Sequence, residues 1–277
     1  MIAVCITTYN HESFIEQCVR SVLAQQCTEP FTIYIGDDAS TDRTESVCRR
    51  LAKADPRIRY YRREKNMGVV ENTLLLYEQI LSDGCETIAM LDGDDYWHSA
   101  NKLQLQIDYL HAHPDCGFVH TASYDEIDGQ LRIVPTAQIP TGDISRRYNR
   151  QGAITTNCTV MFLSRLLQQD ELQAIRAQRF PILDYPLYGL LAQRTRFAYL
   201  PELTAVWRNH VSLSQPASLQ AVCRYQREYI RMWRWLDSQC PGAFHYNRLH
   251  ALAWYLWQVF YHTIHRCKVA ICKKKKQ

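Results

Sequence analysis

Three carboxylates lie within four positions of the segment LDGDDYW at residues 91–97. At this spacing Asp92, Asp94 and Asp95 repel one another. A divalent cation can neutralise such a group, and oxygen ligands suit Mg²⁺ or Mn²⁺, which keep open positions for substrate phosphates. The alternative is a solvated acidic turn that caps the following helix. The segment therefore predicts either a metal site or such a turn.

Two further polar segments carry side chains that can recognise a nucleotide. GDDAS at 36–40 contains Asp38, whose carboxylate can accept hydrogen bonds from a nucleobase or a ribose hydroxyl. TTYN at 7–10 contains Tyr9, whose ring can stack on a base. Taken alone, the first is better explained as an ordinary turn and the second as a half-buried tyrosine.

The first 120 residues alternate strand and helix patterns that would position these segments. Apolar runs such as IAVCIT and FTIYI are typical of buried parallel strands, and ESFIEQCVRSVLAQQ carries a helical apolar stripe. This alternation predicts an α/β fold with an open, mostly parallel sheet flanked by helices. Ligands bind such sheets at the carboxyl ends of the strands. We therefore expect all three polar segments at one edge of the sheet.

The second half of the chain gives a weaker pattern. The predicted elements are a loop or mobile flap at 124–155, a strand at 155–164, a short helix at 184–195, a strand at 196–201 and helical structure from about 216. No internal repeat and no Gly/Ser linker divides these segments.

Composition narrows the class of protein. The 277 residues are 47% hydrophobic, and much of the net charge of +4 comes from the lysines at 273–276. The rest of the chain is close to neutral, which argues against a nucleic-acid-binding surface. Eleven cysteines without a CxxC pair indicate reduced thiols in a reducing cytoplasm rather than a zinc ribbon. No signal peptide or membrane-spanning apolar run is recognisable, so the expected location is the cytoplasm.

Four motifs in order make a family resemblance. CITTYNHESFIEQCVRSVLAQQ, IYIGDDASTDRT, NMGVVEN and AMLDGDDYWHSANKLQLQ together resemble family 2 glycosyltransferases of the GT-A fold. Ala39 and Ala100 stand where the family usually has glycine and proline, and neither position carries chemistry. The resemblance covers residues 1–215.

The resemblance also implies a domain organisation. Residues 1–215 would form the GT-A domain, with a nucleotide-sugar-binding half at 1–120 and an acceptor-binding half at 121–215. Residues 216–277 would form a helical extension that ends in a basic tail.

The resemblance implies roles for residues of the first half. Thr7, Tyr9, Glu12 and Asp38 would bind the nucleotide, with Asn66 in the loop beneath it. Asp92 and Asp94 would bind the ribose and the metal-bound diphosphate.

The implied cofactor is Mn²⁺ or Mg²⁺. Asp94 and Asp95 would hold the cation, with His210 completing its shell. Arg208 would reach the diphosphate.

The resemblance continues through FPILDYPLYGLLAQRTRFAYLPELTAVWRNHVSLS, where the family places its general base. The matching residue is Asp184, which would take the proton from an acceptor hydroxyl. From the residues alone, a helix cap is the better explanation of Asp184. Asn157 in TTNCTV would line the acceptor pocket.

The segment at 249–277 concentrates aromatic residues ahead of the lysine run. An aromatic helix with a basic end fits peripheral contact with the inner surface of an anionic membrane. The alternative is a helix that packs on the catalytic domain with a solvated tail.

The implied activity is an inverting, metal-dependent transfer of a sugar from a nucleotide donor. The expected donor is a UDP-sugar, and the acceptor is a hydroxyl of a glycan or lipid-linked sugar in bacterial surface polysaccharide, lipopolysaccharide or capsule assembly. One rival is a sugar-1-phosphate nucleotidyltransferase, but TTYNHESF lacks the glycine-rich loop of such enzymes. The other rival is a nucleotide-sugar-binding protein without turnover.

Overall fold

The computed structural model describes residues 1–133, 141–143, 155–208 and 219–242. The chain divides into two compact units, Met1–Asn209 and His210–Gln277. The boundary predicted between residues 215 and 216 lies outside the described residues.

The first unit alternates strands and helices. Its strands are β1 (Ile2–Thr8), β2 (Phe31–Asp37), β3 (Ile58–Arg62), β4 (Thr87–Asp92), β5 (Tyr96–Trp97), β6 (Cys116–Ile127), β7 (Gln130–Ile133), β8 (Gly142–Asp143), β9 (Met161–Leu163) and β10 (Arg196–Arg208). Its helices are α1 (Ile15–Leu23), α2 (Thr44–Ala54), α3 (Val69–Ser82), α4 (Lys102–Ala112), α5 (Gln169–Gln178) and α6 (Asp184–Leu191), with 3₁₀ turns at Asn157–Thr159 and Ser164–Leu166.

The described strands form one sheet, and the predicted α/β fold is confirmed. Its order is β3-β2-β1-β4-β9-β6-β10-β5, with β7 beside β6 and β8 beside β10. The pairs among β3, β2, β1 and β4 are all parallel, as the alternating pattern predicts. Further along, β6 and β10 are parallel to each other, whereas β9 runs antiparallel to both β4 and β6.

The register of the first strands brings the polar segments to one level. In the parallel pairs, Thr7 lies opposite Gly36 on β2 and opposite Asp92 on β4, and Thr8 lies opposite Asp37. The three segments therefore leave the sheet side by side, and the expectation of a shared edge is confirmed.

The predicted flap at 124–155 is wrong at its first residues. β6 continues to Ile127, and β7 returns antiparallel beside it. The end of β6 has two partners, the adjacent β7 and the parallel β10, which pairs with it as far as Arg208 opposite Glu126. Its polar sequence lacks the apolar run on which the strand predictions depend. Residues 134–140 and 144–154 lie outside the described part.

The strand predicted at 155–164 is also shorter than expected. A 3₁₀ turn occupies Asn157–Thr159, and only Met161–Leu163 of this segment is strand. The turn is fastened by two hydrogen bonds, from Thr159 N to Thr156 O and from Val160 N to Asn157 O. This turn presents Asn157 beside the end of β4.

The core lies on both faces of the sheet and includes most of the described cysteines. Cys5, Cys18, Cys48, Cys85, Cys116 and Cys158 are free and buried. Burial is the main cause that raises the pKa of Cys18 well above its usual value. The expectation of reduced, mostly buried thiols holds for the described cysteines.

The described part of the second unit is one helix, α7 (Leu219–Gln239), in agreement with the helical pattern from about 216. Its Arg231 pairs with Glu228 at 2.6 Å. No helix among the described residues is long and apolar enough to cross a membrane. The aromatic segment and lysine run at 249–277, for which membrane contact is predicted, lie outside the described part.

Candidate active site

Asp92 ends β4 and is held from both sides. Its Oδ1 accepts a hydrogen bond from Thr7 Oγ1 at 3.1 Å, and its Oδ2 accepts one from Asn157 Nδ2 at 3.0 Å. Burial, together with the charge of Asp94, raises the pKa of Asp92 to about 6 despite these bonds. The carboxylate is therefore fixed in place but unfavourably charged at neutral pH.

Asn157 connects this carboxylate to α6. Tyr188 Oη donates to Asn157 Oδ1 at 2.8 Å, while the amide of Asn157 donates to Asp92. Asp184 lies four residues before Tyr188, so both side chains lie on one face of the helix. The charge of Asp184 is a minor cause of the raised pKa of Asp92.

Asp184 itself is the first residue of α6. Burial raises its pKa, and the backbone N–H of Tyr185 opposes the shift by donating to Oδ1 at 2.8 Å. An N-cap residue precedes the helix and bonds an N–H two or three positions on. Asp184 bonds the next N–H from within the first turn, so its geometry is not that of an N-cap.

Gly93 and Asp94 form the turn after β4. Gly93 N donates to Thr7 O at 2.8 Å, and a Cβ at this position would lie 2.8 Å from the Cβ of Thr8 and 2.9 Å from Nδ1 of His11. Only glycine permits this close approach. Asp94 Oδ2 lies 3.8 Å from His11 Nε2, so His11 joins the acidic cluster, which the sequence motifs did not indicate.

Asp95 points into the protein and is 2% exposed. Its Oδ1 accepts from the backbone N–H of Arg208 at 2.8 Å, and the thiol of Cys158 also bonds it. Burial, then the charges of Asp94 and Asp92, raise its pKa well above the usual value. The cluster therefore combines one buried carboxylate, Asp95, with two that are half-buried, Asp92 and Asp94.

The guanidinium of Arg208 is engaged by neighbouring protein groups. It lies over the rings of Tyr96 and Phe14, 4.6 and 5.0 Å from their centroids. It donates to the carbonyl of Asp94 and to Gln17, and pairs with Glu126 at 3.3 Å. These contacts hold the turn after β4 against α1 and the end of β10.

A buried lysine, Lys102, helps to fix the turn that carries Asn157. Lys102 is fully buried, donates to Gln106 Oε1 at 2.5 Å and lies 4.5 Å from the centroid of the Trp97 ring. Burial lowers its pKa to about 7. Gln106 Nε2 in turn donates to the carbonyl of Thr159 at 2.8 Å, which fixes the turn that carries Asn157. Sequence analysis missed this contact.

On the nucleotide side, Asp38 accepts hydrogen bonds from two backbone donors. It is 3% exposed, and it accepts from Met67 N at 2.7 Å and from Gly68 N at 2.8 Å. Asn66 is exposed, and its Oδ1 accepts from Gly68 N at 3.2 Å. Asp38 thus anchors the loop before α3 to the end of β2.

Tyr9 and Glu12 lie on the loop after β1. Tyr9 is 41% exposed, which leaves a ring face open to a base. Glu12 Oε2 accepts from the backbone N of Arg43 at 2.9 Å and from its Nε at 3.2 Å. These bonds from Arg43 lower the pKa of Glu12, and the pairing was not indicated by the sequence.

The donor set fits a hard divalent cation, although no group of three His, Cys, Asp or Glu side chains in the described residues converges on one point. Mg²⁺ and Mn²⁺ need only one or two carboxylates when waters and substrate phosphates supply the rest. Mutual repulsion between Asp92 and Asp94 is the kind of strain that a cation relieves. His210, predicted as a further ligand, lies outside the described residues.

Two of the sequence relatives are named as glycosyltransferases. An uncharacterized protein of Mycobacterium tuberculosis, Rv1520, is 30% identical over 208 residues, 73% of this chain, and the match spans 57% of that relative's length. The dTDP-rhamnosyl transferase RfbG of Shigella flexneri is 24% identical over 84% of this chain and 81% of its own. The putative teichuronic acid biosynthesis glycosyltransferase TuaG of Bacillus subtilis is 32% identical over 44% and 46%.

Solved structures share the fold. S. aureus TarS 1-349 in complex with UDP-GlcNAc matches with a TM-score of 0.66 and 17% identity, over 94% of this chain and 72% of that one. The mannosyltransferase PcManGT of Pyrobaculum calidifontis, in complex with GDP-Man and Mn²⁺, matches with a TM-score of 0.63 and 18% identity, over 99% and 79%. The sequence model of Glycosyl transferase family 2 matches residues 3–169, more than half of the chain. With three of its motifs at one edge of the sheet and this match over more than half of its length, the chain belongs to glycosyltransferase family 2.

Proposed function

We propose that the chain transfers a sugar from a nucleotide-sugar donor to a hydroxyl of a glycan or lipid-linked acceptor, with inversion at the anomeric carbon. The observation that carries this proposal is the hydrogen-bond chain from Tyr188 through Asn157 to Asp92. It fixes α6 against the acidic cluster, and Asp184 begins that helix. A base held beside the leaving-group site is what a single-displacement transfer requires.

Asp184 acts in this proposal as the general base. A sugar hydroxyl is a weak nucleophile, and a carboxylate within hydrogen-bond reach takes its proton as the new C–O bond forms. Burial raises the pKa of Asp184, which strengthens its carboxylate as a base. The hydroxyl attacks from the face opposite the leaving diphosphate, so the configuration inverts.

The nucleotide lies, in this proposal, on the side of Tyr9 and Asp38. The exposed ring of Tyr9 stacks on the base, and Asp38 retains lone pairs for a base N–H besides the two it uses on the loop. Thr7, Glu12 and Asn66 complete this side. The proposed nucleotide is UDP, which the UDP-GlcNAc complex of TarS supports, while the name of RfbG makes dTDP the first competitor.

Asp94 and Asp95, with His210, are the residues proposed to hold Mn²⁺ or Mg²⁺. When bound, the cation offsets the diphosphate charge that builds on the leaving group. The GDP-Man and Mn²⁺ complex of PcManGT supports this assignment. In this proposal Asp92 orients the ribose, the charge of Arg208 attracts the diphosphate, and Asn157 borders the acceptor.

The proposed context is assembly of bacterial surface polysaccharide, lipopolysaccharide or capsule at the cytoplasmic face of the inner membrane. The name of TuaG, a putative teichuronic acid biosynthesis glycosyltransferase, supports a polysaccharide product. Residues 1–215 form the proposed catalytic domain, and 216–277 the extension whose basic end contacts the membrane.

The test is release of nucleoside diphosphate from UDP-, GDP- and dTDP-sugars, each with Mn²⁺, with Mg²⁺ and with EDTA. We expect slow release from one donor that EDTA abolishes. Donor binding without release, even when a hydroxyl acceptor is supplied, would instead indicate a nucleotide-sugar-binding protein. No binding of any donor would overturn the proposed function.

A further inference from the structure

Two polar side chains are completely buried beneath the turn that carries Asn157. Lys102 and Gln106 lie one helical turn apart on α4, and neither is exposed to solvent. A fully buried lysine is rare, and a buried glutamine requires partners for both ends of its amide. The reaction proposed above gives neither residue a role.

The amide of Gln106 has a fixed orientation. Its Oε1 accepts from Lys102 Nζ at 2.5 Å, and its Nε2 donates to Val119 O at 3.2 Å and to Thr159 O at 2.8 Å. A flipped amide would put Oε1 against two carbonyl oxygens and its N–H groups against an ammonium group. The ammonium therefore selects the orientation in which Gln106 holds the carbonyl of Thr159.

A second contact holds the neighbouring carbonyl of the same turn. Trp97 Nε1 donates to Cys158 O at 3.0 Å, and the centroid of the Trp97 ring lies 4.5 Å from Lys102 Nζ. Two consecutive carbonyls of the 3₁₀ turn Asn157–Thr159 are thus bonded by buried side chains. Because a buried carbonyl that loses its donor finds no water in exchange, these two bonds define the placement of the turn.

The acidic segment contacts the turn through both of its ends. Asp92 accepts from the side chain of Asn157 at 3.0 Å, and Trp97, further along the same segment, bonds the backbone of the turn. On its other side Asn157 accepts from Tyr188 of α6 at 2.8 Å. The turn therefore connects the acidic cluster to the helix that begins at Asp184.

We infer that Gln106, oriented by Lys102, is a positioning residue for the transfer: it holds the turn that places Asn157 and, through it, α6 with Asp184. Both side chains are buried, so neither contacts a bound donor. The inference rests on the proposed function, since the group to be positioned is the proposed base. A displacement of about 1 Å at a reacting group lowers a rate about 100-fold, so the loss of Gln106 should act on turnover rather than on donor binding.

Gln106→Met tests the inference, because it keeps the length of the side chain and removes both N–H donors. The donor is the nucleotide sugar that the parent protein cleaves among the UDP-, GDP- and dTDP-sugars. We expect its single-turnover cleavage rate to fall about 10–100-fold. The dissociation constant of the matching nucleoside diphosphate, measured by calorimetry with Mn²⁺, should stay within about threefold.

Gln25→Met is the matched control. Gln25 is also buried, and its Nε2 donates to the carbonyls of Ser99 at 2.7 Å and Ser21 at 3.3 Å, which ties α1 to the loop before α4. Both substitutions should lower the melting temperature. Only Gln106→Met should lower the cleavage rate, measured at a temperature at which both variants remain folded.

A double variant separates the position of the turn from the stability of the fold. Gln106→Met alone leaves the ammonium of Lys102 buried without its acceptor, and adding Lys102→Met removes that penalty. The double variant should therefore melt above Gln106→Met, yet its cleavage rate should stay as low, because Thr159 O still lacks its donor. A rate that recovers together with the melting temperature would mean that Gln106 contributes to stability alone, and would overturn the inference.

Amide hydrogen exchange, followed by mass spectrometry, gives a readout that does not need activity. The N–H groups of Thr159 and Val160 are bonded within the turn, and they should exchange about tenfold faster in Gln106→Met but not in Gln25→Met. Faster exchange in a protein that cleaves no donor would mean that the proposed function fails, while the turn depends on Gln106 as inferred. Unchanged exchange, or an unchanged rate in a protein that does cleave a donor, would overturn the inference alone.

Discussion

The two sides of the candidate site differ in how their carboxylates are satisfied. On the nucleotide side, Asp37 accepts from Ser40 N and Tyr60 Oη at 2.8 and 2.6 Å, and Asp38 accepts from two backbone N–H groups. On the acidic-cluster side, Asp92, Asp95 and Asp184 all have raised pKa values, with burial as the first cause.

The nucleotide side is therefore preformed, whereas the acidic-cluster side needs its ligands to become favourable. Backbone donors hold the nucleotide-side carboxylates whether or not a nucleotide is bound, so little reorganisation is needed on binding. The acidic cluster gathers negative charge that its own hydrogen bonds do not offset. Its arrangement is unfavourable until a cation, a substrate proton or both arrive, which is typical of sites that carry chemistry.

The largest expected effect comes from Asp184→Asn. We expect turnover to fall about 10²–10⁴-fold, because an amide cannot take the proton of the acceptor hydroxyl. The dissociation constant of the donor should stay within about threefold, since that carboxylate does not bind the nucleotide. Single-turnover kinetics and donor titration separate the two quantities.

Asp170→Asn is the matched control, an exposed carboxylate in the first turn of α5. It should leave turnover unchanged. An Asp184→Asn protein with more than a tenth of the original rate would remove the base from our account.

Asp38→Ala tests the preformed side. Removing the carboxylate leaves the N–H groups of Met67 and Gly68 without their acceptor, at a cost of about 1–3 kcal/mol in the free energy of unfolding. Urea unfolding measures the loss, and donor binding should weaken with it. Asp38→Asn keeps one carbonyl acceptor and should lose less unfolding free energy and less donor affinity than Asp38→Ala. Equal losses in the two variants would show that the loop is held by other contacts.

Asp92→Asn should stabilise the fold, whereas Asp38→Ala should destabilise it. The folded-state pKa of about 6 lies above the ordinary 3.8, so the charge destabilises the fold above pH 6, and this penalty shrinks as pH falls toward 4. At pH 7.5 we expect the variant to melt about 2–4 °C above the parent, corresponding to about 1 kcal/mol. At pH 5 the gap should be smaller. A gap that is independent of pH would mean that Asp92 is not under charge strain.

Glu12→Gln should have the smallest effect on the fold. The ion pair with Arg43 is solvent-accessible, and such pairs contribute little to stability. Thermal melting at pH 7 should match the parent protein. Donor binding that weakens severalfold without a change in melting would then report direct contact between Glu12 and the nucleotide.

The first half of the site could be predicted because the patterns that position its residues are local in the sequence. Parallel strands with short connections bring Thr7, Asp38 and Asp92 to one edge, and each residue follows its own apolar run. The helix that begins at Asp184 was also recognisable. The contact that positions this helix was not recognisable. It joins Tyr188 to Asn157, which are 31 residues apart, and no periodicity links them.

Other contacts were hidden for the same reason. Lys102 is a polar residue at the start of a helix, a position where lysine is ordinarily solvated, and only the packed structure buries it under Trp97. The end of β6 is a different case, because it pairs locally with β7 across Asp128 and Gly129, and an Asp-Gly turn is a hairpin signal that the sequence does contain. Its pairing with β10, about 80 residues later, is the part that no local pattern indicates.

The buried thiols give the protein an internal reporter of its own opening. Cys18 and Cys158 are completely buried, with pKa values raised well above the usual range, so neither reacts with an alkylating reagent in the closed state. Cys18 lies on α1, and Cys158 lies next to Asn157. Their separate labelling rates, followed by mass spectrometry, measure how often the structure around each cysteine opens. No introduced probe is needed.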